Sequence, residues 1–170
     1  MKSFNSSQSG HKELKPAERI EEVTNYGLWH LSRRDHSIKE LKTKLLRKTD
    51  NPDWIEEVII QLQKLGYLND QRFVENFLDN CHRFKNYGPI RIKQELKLKG
   101  IDKEIINIAI LESEFDYFEA ALEHLNKKYN QPVEDRKERD RLTRFLISKG
   151  FGFDMIRYAF DQHLKEPEEN

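Results

Sequence analysis

With 170 residues, thirty basic and thirty acidic, the chain is long enough to bury a sizeable core yet carries no formal net charge, so attraction to an acidic partner has to come from how charge is distributed. Hydrophobic residues make up 36% of it and charged residues 35%, a balance that suits helices with ion-laced outer faces. Seven glycines, five prolines and no sustained apolar–polar alternation argue against a β-sandwich or barrel, and a single cysteine, Cys81, excludes an intramolecular disulfide and a cysteine-rich zinc site.

Residues 1–16 are polar and aperiodic and read as a loose tail without the apolar core of a secretion signal. From Ala17 the pattern turns helical: Ile20, Val23, Tyr26 or Gly27, and Leu31 mark an apolar stripe that ends in Arg33-Arg34-Asp35-His36. Ser37-Ile38-Lys39-Glu40 has the form of a capping box and opens a second helix with Leu41 and Leu45 on one face. Asn51-Pro52 opens a third, in which Trp54, Ile55, Val58, Ile59 and Leu62 lead to Gly66. Gly66 suits the left-handed conformation that closes a helix, Asn69 or Asp70 caps the next, and Tyr67 and Leu68 between them are expected to point inward.

The same grammar then restarts. A shift of 51 residues takes Leu41, Leu45, Ile55 and Ile59 to Ile92, Leu96, Ile106 and Ile110, and a further 50 takes Ile92, Leu96 and Ile106 to Leu142, Leu146 and Ile156. The second shift also takes Lys99-Gly100-Ile101 to Lys149-Gly150-Phe151. The expected organisation is all-α, a tandem array of three three-helix repeats at 17–66, 67–114 and 115–165, with an acidic tail at 166–170. Units this small bury little surface alone, so neighbours are expected to stack and share a core. In the third repeat, Phe115, Phe118, Ala121, Leu122 and Leu125 are expected on the first helix, followed by a longer loop around residues 130–133.

Bases gather on the second helix of each repeat and acids on the third helices and their flanks, which on a neutral chain can build a basic stripe for an acidic groove or a phosphate backbone. Candidate binding residues are Arg33, Arg34, Lys39 and Lys42 in the first repeat, and Arg83, Lys85, Arg91, Lys93 and Lys97 in the second. Arg139, Arg141 and Arg144 are their counterparts in the third. No catalytic residues, metal site or cofactor are expected. The six histidines do not recur at ligand spacing, Gly150-Phe151-Gly152-Phe153 lacks the strand and the lysine of a phosphate loop, and neighbouring carboxylates such as Glu56-Glu57 diverge on a helix. Trp29, Trp54 and most other aromatic residues are expected in the core, with Phe84, Tyr87 and Phe153 as possible contact residues. Cys81 reads as a small apolar helix residue, and His30 and His82 as partly buried ones.

Three stretches carry a resemblance. They are Leu31-Ser32-Arg33-Arg34-Asp35-His36-Ser37 with Glu40-Leu41, Gly66-Tyr67-Leu68-Asn69-Asp70 with Arg72-Phe73, and Gly88-Pro89-Ile90-Arg91-Ile92 with Glu95-Leu96 and Lys99-Gly100-Ile101. With Lys149-Gly150-Phe151, these make the chain resemble the RecX family of regulatory proteins, modulators of the RecA recombinase, from about Ala17 to His163. Valine and threonine at Val74 and Thr49 depart from the family's more usual alanine and glycine. The resemblance implies an elongated, curved stack of repeats lying in the groove of a RecA–single-stranded-DNA filament. There it would inhibit ATP turnover, filament extension and strand exchange in recombination and DNA repair. A cytoplasmic monomer is expected, without a membrane partner, that touches single- or double-stranded DNA at most in addition. The alternative left open is a sequence-tolerant DNA-binding protein of tandem three-helix units, similar in outline to Myb-like repeats, with no filament partner.

Overall fold

The computed structural model describes residues 15–164; the tails expected at either end lie outside these, except for Lys15 and Pro16. Among the described residues there are nine α-helices, one π-helical turn and no strand, in three groups of three. They are α1 (Ile20–Arg33), α2 (Ile38–Leu45), α3 (Pro52–Lys64), α4 (Asp70–Asn80), α5 (Pro89–Leu98), α6 (Lys103–Glu112), α7 (Tyr117–Lys128), α8 (Arg136–Lys149) and α9 (Phe153–Gln162), with the π turn at Cys81–Lys85. The chain divides into two compact units, one of residues up to 36 with 40–68, the other of 37–39 with residues from 69 on.

In the first unit α3 starts where its cap chemistry dictates. Asn51 Oδ1 accepts from the Asp53 and Trp54 amides at 3.0 and 3.3 Å, and Pro52 stands where a missing N–H costs nothing. Val23, Leu41, Leu45, Val58 and Leu62 are fully buried, and of the two candidates on the α1 stripe it is Gly27 that faces inward. A Cβ there would lie 3.2 Å from a Leu62 methyl, so the absent side chain is what lets α1 approach α3 this closely. Trp29 is not in the core as expected but 50% exposed. Two residues beyond Gly27 it points about 200° around the helix, where it stacks on Tyr26 and lies under the Arg33 guanidinium. Leu68 is buried, but Tyr67, expected beside it, is 54% exposed. Outside a helix, consecutive side chains leave the backbone on opposite sides, so after left-handed Gly66 only one of the two can turn inward.

The second unit has two apolar clusters. One joins Phe73, Val74, Leu78, Ile92, Leu96 and Ile106, and the other joins Ala121, Leu125, Leu142, Leu146, Phe151 and Ile156; Phe115 and Met155 border both. The repeat register holds at the inward positions, since Leu41, Ile92 and Leu142, then Leu45, Leu96 and Leu146, are all fully buried. Phe115, expected on the first helix of the third repeat, lies before it. Asp116 caps the Phe118 and Glu119 amides, so α7 starts at Tyr117, which is buried while Phe118 faces out.

Within this unit the turn that opens α5 lies on the turn that closes α8. The Gly88 and Ile90 amides donate to the Lys149 and Gly150 carbonyls at 2.9 and 3.1 Å. A Cβ on Gly88 would lie 2.3 Å from the Gly150 carbonyl carbon, and one on Gly150, which has φ 94°, would lie 2.3 Å from Arg91 Cβ. The segment Ser37–Lys39 meets the end of α5 in the same manner: Ser37 Oγ donates to the Lys99 carbonyl at 2.6 Å, and the Lys39 stem covers Gly100, at φ 82°. Helix α8 starts a turn further ahead of its buried Leu142 than α2 and α5 start ahead of Leu41 and Ile92. Where those two have a non-helical docking turn, α8 has one more helical turn, capped by Asp135.

Candidate partner-binding face

On helix α5, Lys93 and Lys97 each follow a fully buried residue, Ile92 and Leu96, so they lie about 100° around the helix on one flank of the buried stripe, with Arg91 on the other flank. Lys93 and Lys97, four residues apart, share one face, and among the described residues neither side chain has a hydrogen bond, ion pair or ring contact. The same holds for Arg144 on α8. Of the twelve candidate cations these three have their charge available for a partner without first breaking an internal contact.

The other nine are engaged, in two different ways. Lys39 and Arg91 brace helix ends. Lys39 Nζ donates to the Leu98 carbonyl at 3.1 Å and Arg91 Nη1 to the Ser148 carbonyl at 3.2 Å, each supplying positive charge where a helix leaves its last carbonyls unpaired. Arg91 also pairs with Glu95 at 3.1 Å and lies 3.8 Å over the Tyr87 ring, so its guanidinium is a fastening of the second unit rather than a free contact. The remaining seven make surface contacts that water and salt can replace. Arg34 pairs with Glu40 at 3.0 Å, Lys42 with Glu56 at 2.7 Å, Arg83 with Asp79 at 3.9 Å, and Arg141 with Glu138. Arg33, Lys85 and Arg139 lie over the rings of Trp29, Tyr87 and Phe160.

Sequence reasoning missed the π-helical turn that shapes this region. The Asn86 amide donates to the Cys81 carbonyl at 2.7 Å across five residues, and Asn86 takes φ 45°, which asparagine tolerates better than most residues. This wide turn carries Arg83, Phe84 and Lys85, with Phe84 78% exposed. It also turns His82 onto Phe115, ring on ring at 3.9 Å, with Nε2 3.2 Å from the Tyr117 hydroxyl. The Asn86 carbonyl accepts from His124 Nε2 at 2.7 Å. Because a carbonyl only accepts, the proton of that ring is on Nε2. Burial holds His82 and His124 below the usual histidine range, and pushes the Cys81 thiol up to about 11, so that thiol is packing and not a nucleophile. Among the described residues no group of three histidine, cysteine or carboxylate side chains is placed to hold a metal ion.

The family descriptions that match are those of the first, second and third three-helix domains of RecX, over residues 24–62, 69–110 and 115–160. The chain is similar to the regulatory protein RecX of Actinobacillus pleuropneumoniae serotype 5b, 35% identical over 85% of this chain and 94% of that one. It is similar too to that of Photobacterium profundum, 28% identical over 89% and 95%. Its fold matches the crystal structure of RecX from Lactobacillus salivarius with a TM-score of 0.74 at 28% identity, covering 84% of this chain and 95% of that one.

Proposed function

The chain belongs to the RecX family of regulatory proteins, and from that premise we propose that it binds a RecA–single-stranded-DNA filament and inhibits ATP turnover, filament extension and strand exchange, with no chemistry of its own. The observation that carries this reading is the pair Lys93 and Lys97, whose charge no other group of the described chain engages, on the flank of a helix held in the core by Ile92 and Leu96. A helix already folded into the core needs no backbone ordering when its lysines meet an acidic surface, and their charge favours fast association and correct register. Arg33 and Arg34 in the first unit and Arg139 and Arg141 in the second carry further positive charge, and their contacts are exposed enough to exchange for a partner's carboxylates or phosphates.

The test is inhibition of the recombinase's DNA-dependent ATPase by the parent chain and by Lys93→Glu/Lys97→Glu. Arg91 is left intact because its reversal would unfasten α5 from the end of α8. The double variant is expected to fold as the parent and to need roughly tenfold more protein for half-inhibition, a loss of about 1.4 kcal/mol or more. A folded variant that inhibits like the parent removes the basis for this face. One that loses DNA binding but still inhibits assigns the lysines to DNA and supports the reading as a sequence-tolerant DNA binder for this face alone.

A further inference from the structure

Away from these lysines, between α4 and α6, lies a cleft of about 550 Å3 whose charge has the opposite sign. Its rim carries Glu75, Asp79, Glu112 and Glu114 and no lysine or arginine. Asp79 has one weak partner, Arg83 at 3.9 Å, and among the described residues the three glutamates have none. The floor is apolar, formed by Leu78, Ile105 and Ala109. At its inner end the His82 ring stacks on Phe115, and burial disfavours its charged form, so no cation is supplied from beneath. Two further aliphatic side chains a turn apart on α6, Ile108 and Leu111, are 55% and 86% exposed.

The opening has a packing cause. In the third repeat α7 closes on α9 through Ala120, Ala121 and Ala159, which are all buried. On α4 the corresponding buried positions hold Phe73 and Val74, whose bulk keeps α6 further off. What remains is an apolar trough edged by unpaired carboxylates that repel one another and any phosphate backbone.

We propose that this cleft docks an apolar protein segment flanked by lysines or arginines. Aliphatic side chains of such a segment cover Ile108 and the cleft floor, and its cations meet Glu75 and Glu112 from either side. This interaction goes beyond the proposed filament function and does not rest on it: it needs a cationic partner, where the α5 lysines need an acidic one.

The experiment titrates the isotope-labelled full chain with a synthetic amphipathic helix of leucine and lysine, and with its counterpart bearing glutamate for lysine. Saturable binding of the lysine peptide alone is expected, with amide shifts confined to α4, α6 and the 113–115 link. Glu75→Lys/Glu112→Lys should weaken it roughly tenfold or more. Glu21→Lys/Glu22→Lys, the same charge change on α1, should leave it within about twofold, as non-specific attraction would not. Equal weakening by both pairs, shifts centred elsewhere, or no saturation would overturn the proposal. So would concentration-dependent self-association that shifts the same amides without peptide, because the occupant would then be a second copy of the chain.

Discussion

The carboxyl ends of α2 and α8 close helices of the same register, each shortly after a fully buried leucine, Leu45 or Leu146, and they do so with different residues. After Lys149 comes Gly150, in the left-handed region; after Lys48 comes Thr49, buried and outside that region. Both lysine carbonyls are satisfied, one by the Gly88 amide at 2.9 Å and the other by the Ala17 amide at 2.8 Å. The difference lies in what comes over the next residue. At Gly150 the backbone and Cβ of Arg91 occupy the space a side chain would need, so stopping a helix does not by itself require glycine, whereas receiving another backbone at this distance does.

The strongest way to break this comparison is to change the residue at both ends. Gly150→Ala adds a strained left-handed conformation to a collision with Arg91, and should destabilise by about 2–6 kcal/mol in urea unfolding. Thr49→Gly should cost less, about 1–2 kcal/mol, from backbone entropy and from loss of the buried hydroxyl that accepts from the Asn51 amide at 3.2 Å. Equal costs would mean that the close approach at Gly150 is not what demands glycine.

A second measurement sharpens the comparison by asking where the two ends stop differing. Leu96→Ala should cost about 2–5 kcal/mol, as truncation of a packed leucine does, and Leu45→Ala and Leu146→Ala should fall in the same range because all three are fully buried at one register. The asymmetry would then belong to the joint alone. A cost for Leu96→Ala below about half a kcal/mol, the level of surface changes, would put the inward stripe on the wrong face.

The smallest expected effect is in pH dependence. Burial lowers His124, whose ring donates to Asn86 and faces Lys149 and Lys127 beside the α8 joint. With its folded pKa below the ordinary 6.5, the unfolded chain takes up the proton first. Its contribution to stability is therefore complete above that value and is lost as the pH falls through the lowered one. His124→Gln should make the acid-side decline in stability shallower, because His82, His30 and His36, lowered in the same direction, would remain as the histidine contributors. An unchanged slope would remove His124 from the joint's titration.

Much of the fold was legible because it rests on local rules. Asn51 and Asn69 cap as their positions suggest, Gly66, Gly100 and Gly150 all take positive φ, and the 51- and 50-residue shifts bring buried leucines and isoleucines onto one another. The candidate face was legible only as composition. The chain order shows that second helices are basic, but it treats Arg91 and Lys93 alike, although one is fastened to a carbonyl 57 residues away and the other side chain has no partner among the described residues.

What the sequence by itself determined is therefore the helices, most of their ends, the repeat and the family, since periodicity and capping act over a few residues and recur in every copy. Tertiary structure alone decided which cations stay free, that Tyr67 turns outward while Leu68 turns in, that residues 81–85 widen into a π turn, and that α4 stands off from α6 to leave an acidic cleft. The physical reason is reach. The charged end of a long side chain goes to whatever carbonyl or ring lies near it, and the gap between two helices is set by the bulk of residues on both, so neither can be read from one segment of chain.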